Sequence, residues 1–509
     1  MAQTVTRLAG VLAHLPEKLT PDGDVLARVD IDIAGALIAG VTPPGHTPPP
    51  DGARVIDGSR LFAVPGLINS HYHSHENFQK GRFEGLTLEL WMNLVRPLTP
   101  VPVTPEQVYL RTMIGAIQAL RSGTTTIVDD LNPGAGPDTA LIDAAMRAYD
   151  DAGIRAYVGP TLFDRPFFRA VPFVEDSFPP DLLAELDALP PPPAQKLLDL
   201  AETMARTRHP RDHRVAFILA PSAPQRCSDA FLMRVRDLAD RHDLPVIIHV
   251  HETRLQVVTG QQLYGCSMIA HLHALGFLRP ATSIIHGVWV SDDDLDLIAQ
   301  SGASVQHNPV SNLKLGSGLA PLRAMLARGI NVSLGSDGCG SIESVDMLRV
   351  LAATPLLQTL RDGDPSDWIT STEALDAATR GGARALGRED LGVLRAGARA
   401  DIALYDTHSI AMTPLNNPLR QLVFAETGMG LRHLFVDGAQ VMADGHLTRV
   451  DESEIIARIH DAAAKLSPAI ARAEASVGRI RAAYEVIHAR CCATPIPADV
   501  LPAKLPKAP

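Results

Sequence analysis

Hydrophobic and polar positions follow two different rhythms along this chain. Across residues 1–64 short apolar pieces alternate with turn residues, as in Val29-Asp30-Ile31-Asp32-Ile33 and the Pro/Gly cluster of 43–52. Period-two alternation of this kind predicts small β-strands with one covered face. The texture returns at Ala400-Asp401-Ile402-Ala403-Leu404-Tyr405 and at His433-Leu434-Phe435-Val436-Asp437-Gly438, so the two chain ends are expected to build one small β domain together. Between them, short continuous apolar runs alternate with segments of helical period. The runs are 62–73, 124–129, 155–162, 215–222, 245–252, 283–289, 303–308 and 331–337. Strands buried on both faces read as unbroken apolar runs, and eight of them linked by helices predict an α/β chain built as a (β/α)₈ barrel.

One connection, 163–214, is too long for a plain loop and carries a run of four prolines at 190–193; it reads either as a functional segment or as a surface insertion. Residues 453–490 have helical period, and a Pro-rich tail expected to fray follows. The expected domains are therefore 1–64 with 396–450 as the end domain, 65–395 as the barrel, and 451–509 as a helical extension and tail.

Composition narrows the function. Hydrophobic residues make up 46% of the 509 positions, enough for a sizeable core. The net charge of −11, with no dense basic run, argues against a nucleic-acid partner. The five cysteines form no C-x-x-C pair, and no continuous apolar run is long enough to span a membrane, so a reduced, cytoplasmic protein without membrane contact is expected.

The strand ends hold the residues that carry chemistry, on the face where barrel enzymes place their sites. His71 and His73 straddle Tyr72, and period two directs both imidazoles to one side, as two ligands of one ion require. The fifth run ends His249-Val250-His251-Glu252, the sixth contains His286-Gly287, and the eighth ends Gly335-Ser336-Asp337-Gly338. Histidines and one aspartate at four strand ends suit a borderline-soft divalent ion, Zn²⁺ or Fe²⁺.

These residues lie in segments that resemble a known family. "PGLINSHYHSHENFQKGRFEGLTLELWM", "HVHET" and "IIHGVWVSDDDLDLIAQSGASVQHNPVSNLKLGSGLAPLRAMLARGINVSLGSDG" are similar in order and spacing to the amidohydrolase superfamily, in the branch of S-adenosylhomocysteine and guanine deaminases and triazine hydrolases. "EDLGVLRAGARADIALYD" continues the likeness, which covers most of 55–450. The resemblance implies a (β/α)₈ barrel beside a β-sandwich formed by both chain ends. It implies His71, His73, His249 and Asp337 as metal ligands, with Glu252 and His286 catalytic. Binuclear members carry a carboxylated lysine on the fourth strand, and 215–220 has none, which implies one metal.

A hydroxide on that metal would attack a C–N bond, since a bound divalent ion lowers the pKa of water to about 7. Asp337 is expected to accept its proton, Glu252 to pass a proton to the leaving group or a ring nitrogen, and His286 to steady the developing charge. Glu252 also reads as an acid at a helix start. His307, Trp91, Arg82 and His251 are candidates for substrate contact, with Phe163, Arg165 and Phe168 in loops that would overhang the mouth; each also reads as packing or solvation. His75 fits either the mouth or the following loop.

Two departures from the branch are visible. Its deaminases often show "PHSP" on the fourth strand where this chain has Pro221-Ser222-Ala223-Pro224, and Asp337 is followed by Gly338-Cys339-Gly340 rather than by serine and an Asn pair.

The expected function is deamination of an amino-substituted heterocycle, a small molecule, by a homo-oligomer, dimer or tetramer. Amide or halide hydrolysis within the same family is the alternative. A non-catalytic scaffold would have lost ligands first, and all six proposed residues are present.

Overall fold

The structure is a computed structural model that describes residues 5–15, 26–95, 97, 101–132, 137–360 and 364–500. The two textures form separate sheets. Nine strands from both chain ends share one sheet, in which Val5–His14 pairs antiparallel with Leu26–Ala34 and parallel with Leu61–Pro65. Ile402–Asp406 joins Leu61–Pro65 antiparallel, so residues 61–65 are the seam between the chain's beginning and its end. The alternating apolar positions meet under this sheet, with Leu8, Val11, Ile31, Ile33, Ile402 and Leu404 in one buried cluster.

The middle of the chain forms two parallel sheets. Leu67–Tyr72, Thr124–Leu131 and Arg155–Leu162 pair in sequence, and Val215–Phe217 and Ala220–Pro221 both pair with Arg155–Leu162. The second sheet orders Val246–Val250, Thr282–His286, Ser304–His307 and Val332–Leu334. Leu219 makes a parallel bridge to Val246 at one margin, and the Asp337 N–H donates to the His71 carbonyl at 2.9 Å at the other. Every residue of Thr124–Leu131 and of Arg155–Leu162 is buried, as strands covered on both faces must be.

Two of the eight expected runs are not single strands. The run 62–73 is cut at Gly66, where Leu61–Pro65 leaves for the end sheet and Leu67–Tyr72 begins the parallel one. The backbone passes so close to Thr125 that a Cβ on Gly66 would lie 2.2 Å from its Cγ2. The run 215–222 is likewise interrupted between Val215–Phe217 and Ala220–Pro221. Arg155 joins the two parts of the molecule, its buried guanidinium lying 3.3 Å from Asp401 and paired with Asp437.

The insertion at 163–214 and the C-terminal extension fold against each other. The insertion contains the helices Pro180–Asp187 and Ala194–Thr207. Phe168, Phe178, Leu182 and Leu186 pack with Tyr484 and Ile487 of the helix Gly478–Ala493 in one buried cluster. Arg254 ties that helix down by donating to the Cys491 and Thr494 carbonyls at 2.9 and 2.6 Å. The other C-terminal helix, Glu452–Ala475, lies along Pro105–Arg121, where Arg121 donates to Glu452 at 2.9 Å. The end of the expected frayed tail, 501–509, lies outside the described residues. Among the described residues no helix is long and apolar enough to cross a membrane, and all five cysteines are free.

Candidate functional site

The strand ends converge as their spacing predicts. His71 is the fifth residue of Leu67–Tyr72, and His73 follows its last. Their rings lie 4.6 Å apart, with the His249 ring 4.9 Å from His71 and 5.6 Å from His73. Asp337 follows Val332–Leu334 and sets Oδ1 3.4 Å from His71 Nε2 and 3.3 Å from His73 Nε2. Three of the strand-end residues, His251, His286 and Asp337, have left-handed backbones with φ of 54°, 77° and 66°. Such conformations cost non-glycine residues energy and concentrate at functional sites.

The surroundings leave ligand atoms pointing inward. His73 Nδ1 lies 2.8 Å from the Asp130 carbonyl and His249 Nδ1 2.9 Å from the Ser222 carbonyl. A carbonyl accepts only from an N–H, so each contact places the proton on Nδ1 and leaves the Nε2 lone pair for the centre. The His71 ring is fully buried, and its Nδ1 has no hydrogen-bond partner among the described residues. Asp337 is oriented by the Ser311 hydroxyl on Oδ2 at 2.6 Å and the Gly338 N–H on Oδ1 at 2.9 Å. His71, His73 and His249 offer ligand atoms within 4.8 Å of one another, as do His71, His286 and Asp337. Buried imidazole nitrogens of fixed tautomer beside a carboxylate fit a divalent metal in both charge and donor type. His73, His75 and Glu76 form a third such group.

Next to this cluster, His286 Nδ1 lies 2.9 Å from Asn312 Oδ1, and its Nε2 lies 3.4 Å from Glu252 Oε2. Burial pushes the Glu252 carboxyl well above the usual range, and the charges of Asp337, Glu89 and Glu76 add to the shift. Burial holds His286 down at about 4. It also opposes ionisation of Asp337, but contact with His71 and the charges of His73 and His286 outweigh it and hold that carboxyl well below the usual range. The helix-start reading of Glu252 fails on direction. Its carboxylate faces His286, no side chain caps the helix Arg254–Tyr264, and its own N–H donates to Gln256 Oε1 at 2.8 Å.

A cleft enclosing about 580 Å³ opens over His73, His249, Glu252, His286 and Asp337. Trp91 lines it as expected, with Nε1 donating to the Gly340 carbonyl at 3.1 Å. The other substrate candidates do not. Arg82 turns to the C-terminal extension and pairs with Glu474 at 2.7 Å. His251 Nε2 accepts the Met268 N–H at 3.1 Å, behind the ligands. His307 is fully buried and lines neither this cleft nor the larger one beyond His75. Of the overhanging loop residues, Phe168 is buried in the insertion core, and Phe163 stacks beneath the Arg226 guanidinium at 4.6 Å.

Sequence reasoning passed over Phe167, Gln225, Arg226 and Glu76, all of which line the cleft. Glu76 stands three residues after His73 inside the first-strand motif, a spacing that could have marked it. Nothing in the pattern of 163–226 separates Phe167 and Arg226 from their neighbours.

Comparison with known proteins gives the family. A model of the amidohydrolase family matches residues 62–441. The chain belongs to the amidohydrolase family. This amidohydrolase is 36% identical over 413 residues to a 5-methylthioadenosine/S-adenosylhomocysteine deaminase of Nitratidesulfovibrio vulgaris, covering 80% of this chain and 86% of the relative. It is 31% identical over 419 residues to a 5'-deoxyadenosine deaminase of Methanothermobacter thermautotrophicus, covering 82% and 91%.

Among solved structures it resembles an adenosine deaminase from Xanthomonas campestris with bound zinc, at a TM-score of 0.78 and 25% identity over 92% of this chain and 99% of that one. An atrazine chlorohydrolase from Arthrobacter aurescens, complexed with zinc, gives a TM-score of 0.80 at 24% identity over 90% and 100%. These neighbours imply a TIM-barrel type of fold. The amidohydrolase is an enzyme, a hydrolase acting on small molecules, and its His/Asp cluster supports a divalent metal.

Proposed function

We propose that this amidohydrolase is a mononuclear metal-dependent aminohydrolase that replaces the amino group of a heterocycle by oxygen. His71, His73, His249 and Asp337 hold the ion, Zn²⁺ in the first instance; Asp337 accepts the proton of the attacking water, Glu252 passes a proton to the leaving group or ring nitrogen, and His286 steadies the developing charge. The observation that carries this is the placement of the buried Glu252–His286 pair, 3.4 Å apart, on the wall of the cleft that also exposes His73, His249 and Asp337. The deaminase names of the relatives support the reaction class.

When bound, a divalent ion lowers the pKa of water to about 7 and so supplies a nucleophile at neutral pH. The protein supplies the remainder. Glu252 is kept protonated by its surroundings and holds a proton it can deliver to the ring nitrogen beside the reacting carbon. His286 is neutral, and with its Nδ1 proton engaged by Asn312 it presents an Nε2 lone pair that accepts the O–H of the attacking water. Water adds to the carbon, the C–N bond breaks, ammonia leaves with the transferred protons, and the ring keeps a carbonyl. Trp91 and Phe167 border the cleft and offer flat faces to a flat ring.

The same reading extends to architecture. The eight strands close into a (β/α)₈ barrel over 65–395, with the Leu219–Val246 bridge and the Asp337–His71 hydrogen bond as its two seams. Residues 1–64 and 396–450 form a β-sandwich, 451–509 form an extension, and the enzyme works as a homo-oligomer in the cytoplasm.

The test is product analysis on a panel of aminopurines, aminopterins and amino- and chlorotriazines. Stoichiometric ammonia release from an amino-substituted ring supports the proposal. Chloride release without ammonia would assign the halide-hydrolysis alternative instead.

A further inference from the structure

A second, larger cleft lies on the other side of the segment that carries His75 and Glu76. It encloses about 1000 Å³ between the loop after His73, the helix Pro105–Arg121 and the C-terminal helix Glu452–Ala475. Phe78, Phe83, Val103, Leu466 and Ile470 make most of its wall apolar. Its polar lining comes from Arg111, Gln107, Asn132, His75 and Gln79. At the outer side Arg82 and Glu474 neutralise each other at 2.7 Å.

Arg111 is the anomaly in this wall. The residue is only 8% exposed, its Nε and Nη2 have no hydrogen-bond partner, and among the described residues no carboxylate pairs with it. Asp129 acts on it electrostatically, but that carboxylate is already engaged by the Ser74 N–H at 2.9 Å and the Tyr149 hydroxyl at 2.8 Å. Burial lowers the guanidinium only to about 10, so it stays charged at neutral pH. A buried unpaired cation is costly, and with Nε and Nη2 sealed from solvent, Nη1 is the guanidinium nitrogen left to meet an anion in the cleft, through one charge-assisted hydrogen bond.

We propose that this second cleft is a binding site for a small organic carboxylate with an apolar body, whose carboxylate is taken by Arg111. The aliphatic and aromatic wall receives the body, and the paired charges at the rim leave Arg111 as the cation that selects the anion. The C-terminal extension thereby gains a role, since Leu466 and Ile470 close the cleft from outside. The site is separate from the metal cluster and does not depend on the reaction proposed above.

Hexanoate is a suitable probe, with hexanol and hexylamine as neutral and cationic controls, measured by calorimetry and thermal shift on the full-length metal-loaded enzyme. Hexanoate is expected to bind saturably at millimolar concentration or below and to raise the melting temperature, with both controls at least tenfold weaker. Arg111→Met should weaken hexanoate at least tenfold. Ile470→Trp, which fills the cleft and keeps Arg111, should do the same, so the result does not rest on one variant folding. Absence of saturable binding, equal binding of hexanol, or hexanoate binding that survives Ile470→Trp would overturn the proposal. The last outcome would place the carboxylate elsewhere, for example on the metal.

Discussion

His286 Nε2 lies 3.4 Å from Glu252 Oε2, and both side chains are almost wholly buried, at 1% and 2% exposure. Two titratable groups whose surroundings favour their neutral forms, held this close beside a His/Asp cluster, make a proton-transfer pair.

Glu252→Gln keeps size and polarity while removing the proton. Metal content should be unchanged, and kcat should fall by about 10² to 10⁴. The raised pKa fixes the sign of the pH effect. The protonated acid is present at neutral pH and is lost as pH rises, so wild-type kcat/KM should decline on the alkaline side, and that limb should disappear from the residual activity of the variant. Metal analysis and a pH–rate profile on one preparation would check this; a kcat within about threefold of wild type would remove Glu252 from the mechanism.

Asn312 fixes the His286 tautomer through its 2.9 Å contact. As a positioning residue it should act on rate more than on affinity. Asn312→Leu is expected to lower kcat about 10- to 100-fold, the usual cost of losing such an orienting contact, with KM changed much less and the alkaline limb kept. Metal content and melting temperature at wild-type values in the same preparation would distinguish this from a general loss of folding, which lowers kcat by lowering the active fraction.

His14 provides a stability prediction away from the site. Its ring is 3% exposed, neither nitrogen has a partner among the described residues, and burial, with the charge of Arg380, lowers its pKa to about 4. A histidine depressed in the folded state stabilises the fold above its unfolded pKa, near 6.5, and that stability drains away as pH falls toward the folded value. Between pH 7 and 5 the loss due to His14 is about 2 kcal/mol. Denaturant unfolding at both pH values should show His14→Leu losing less stability than wild type over that interval.

The insertion and the extension should melt together. Ile487 is fully buried between them, and truncating a buried isoleucine costs about 2–5 kcal/mol. Ile487→Ala should therefore expose the insertion as well as the C-terminal helix to limited proteolysis, with the central strands still protected. Cleavage confined to the C-terminal helix would contradict the shared core.

The site was legible where side chains stand on regular strands. His71, His73, His249 and Asp337 meet because strand order and strand ends set their places. His251 shares the parity of His249, yet its φ of 54° breaks the alternation and turns its ring behind the site toward Met268. Period-two reasoning holds only while the backbone stays extended. Gly66 was hidden for a related reason, since two strands of different sheets are joined by a single small residue with no polar break. Arg82 was misplaced because a long charged side chain follows its partner, here Glu474, and that partner lies 392 positions away. The pairing of the insertion with the extension had no local signature, because each segment shows only an apolar face and not what covers it.

The central claim is that one ion sits among His71, His73, His249 and Asp337. A crystal structure of the metal-loaded enzyme with anomalous data at the metal edge tests it most directly. The account predicts a single peak bonded to the three Nε2 atoms and an Asp337 oxygen, lost in His73→Ala. Two peaks of comparable occupancy, or one peak held by His75 and Glu76 instead, would contradict it.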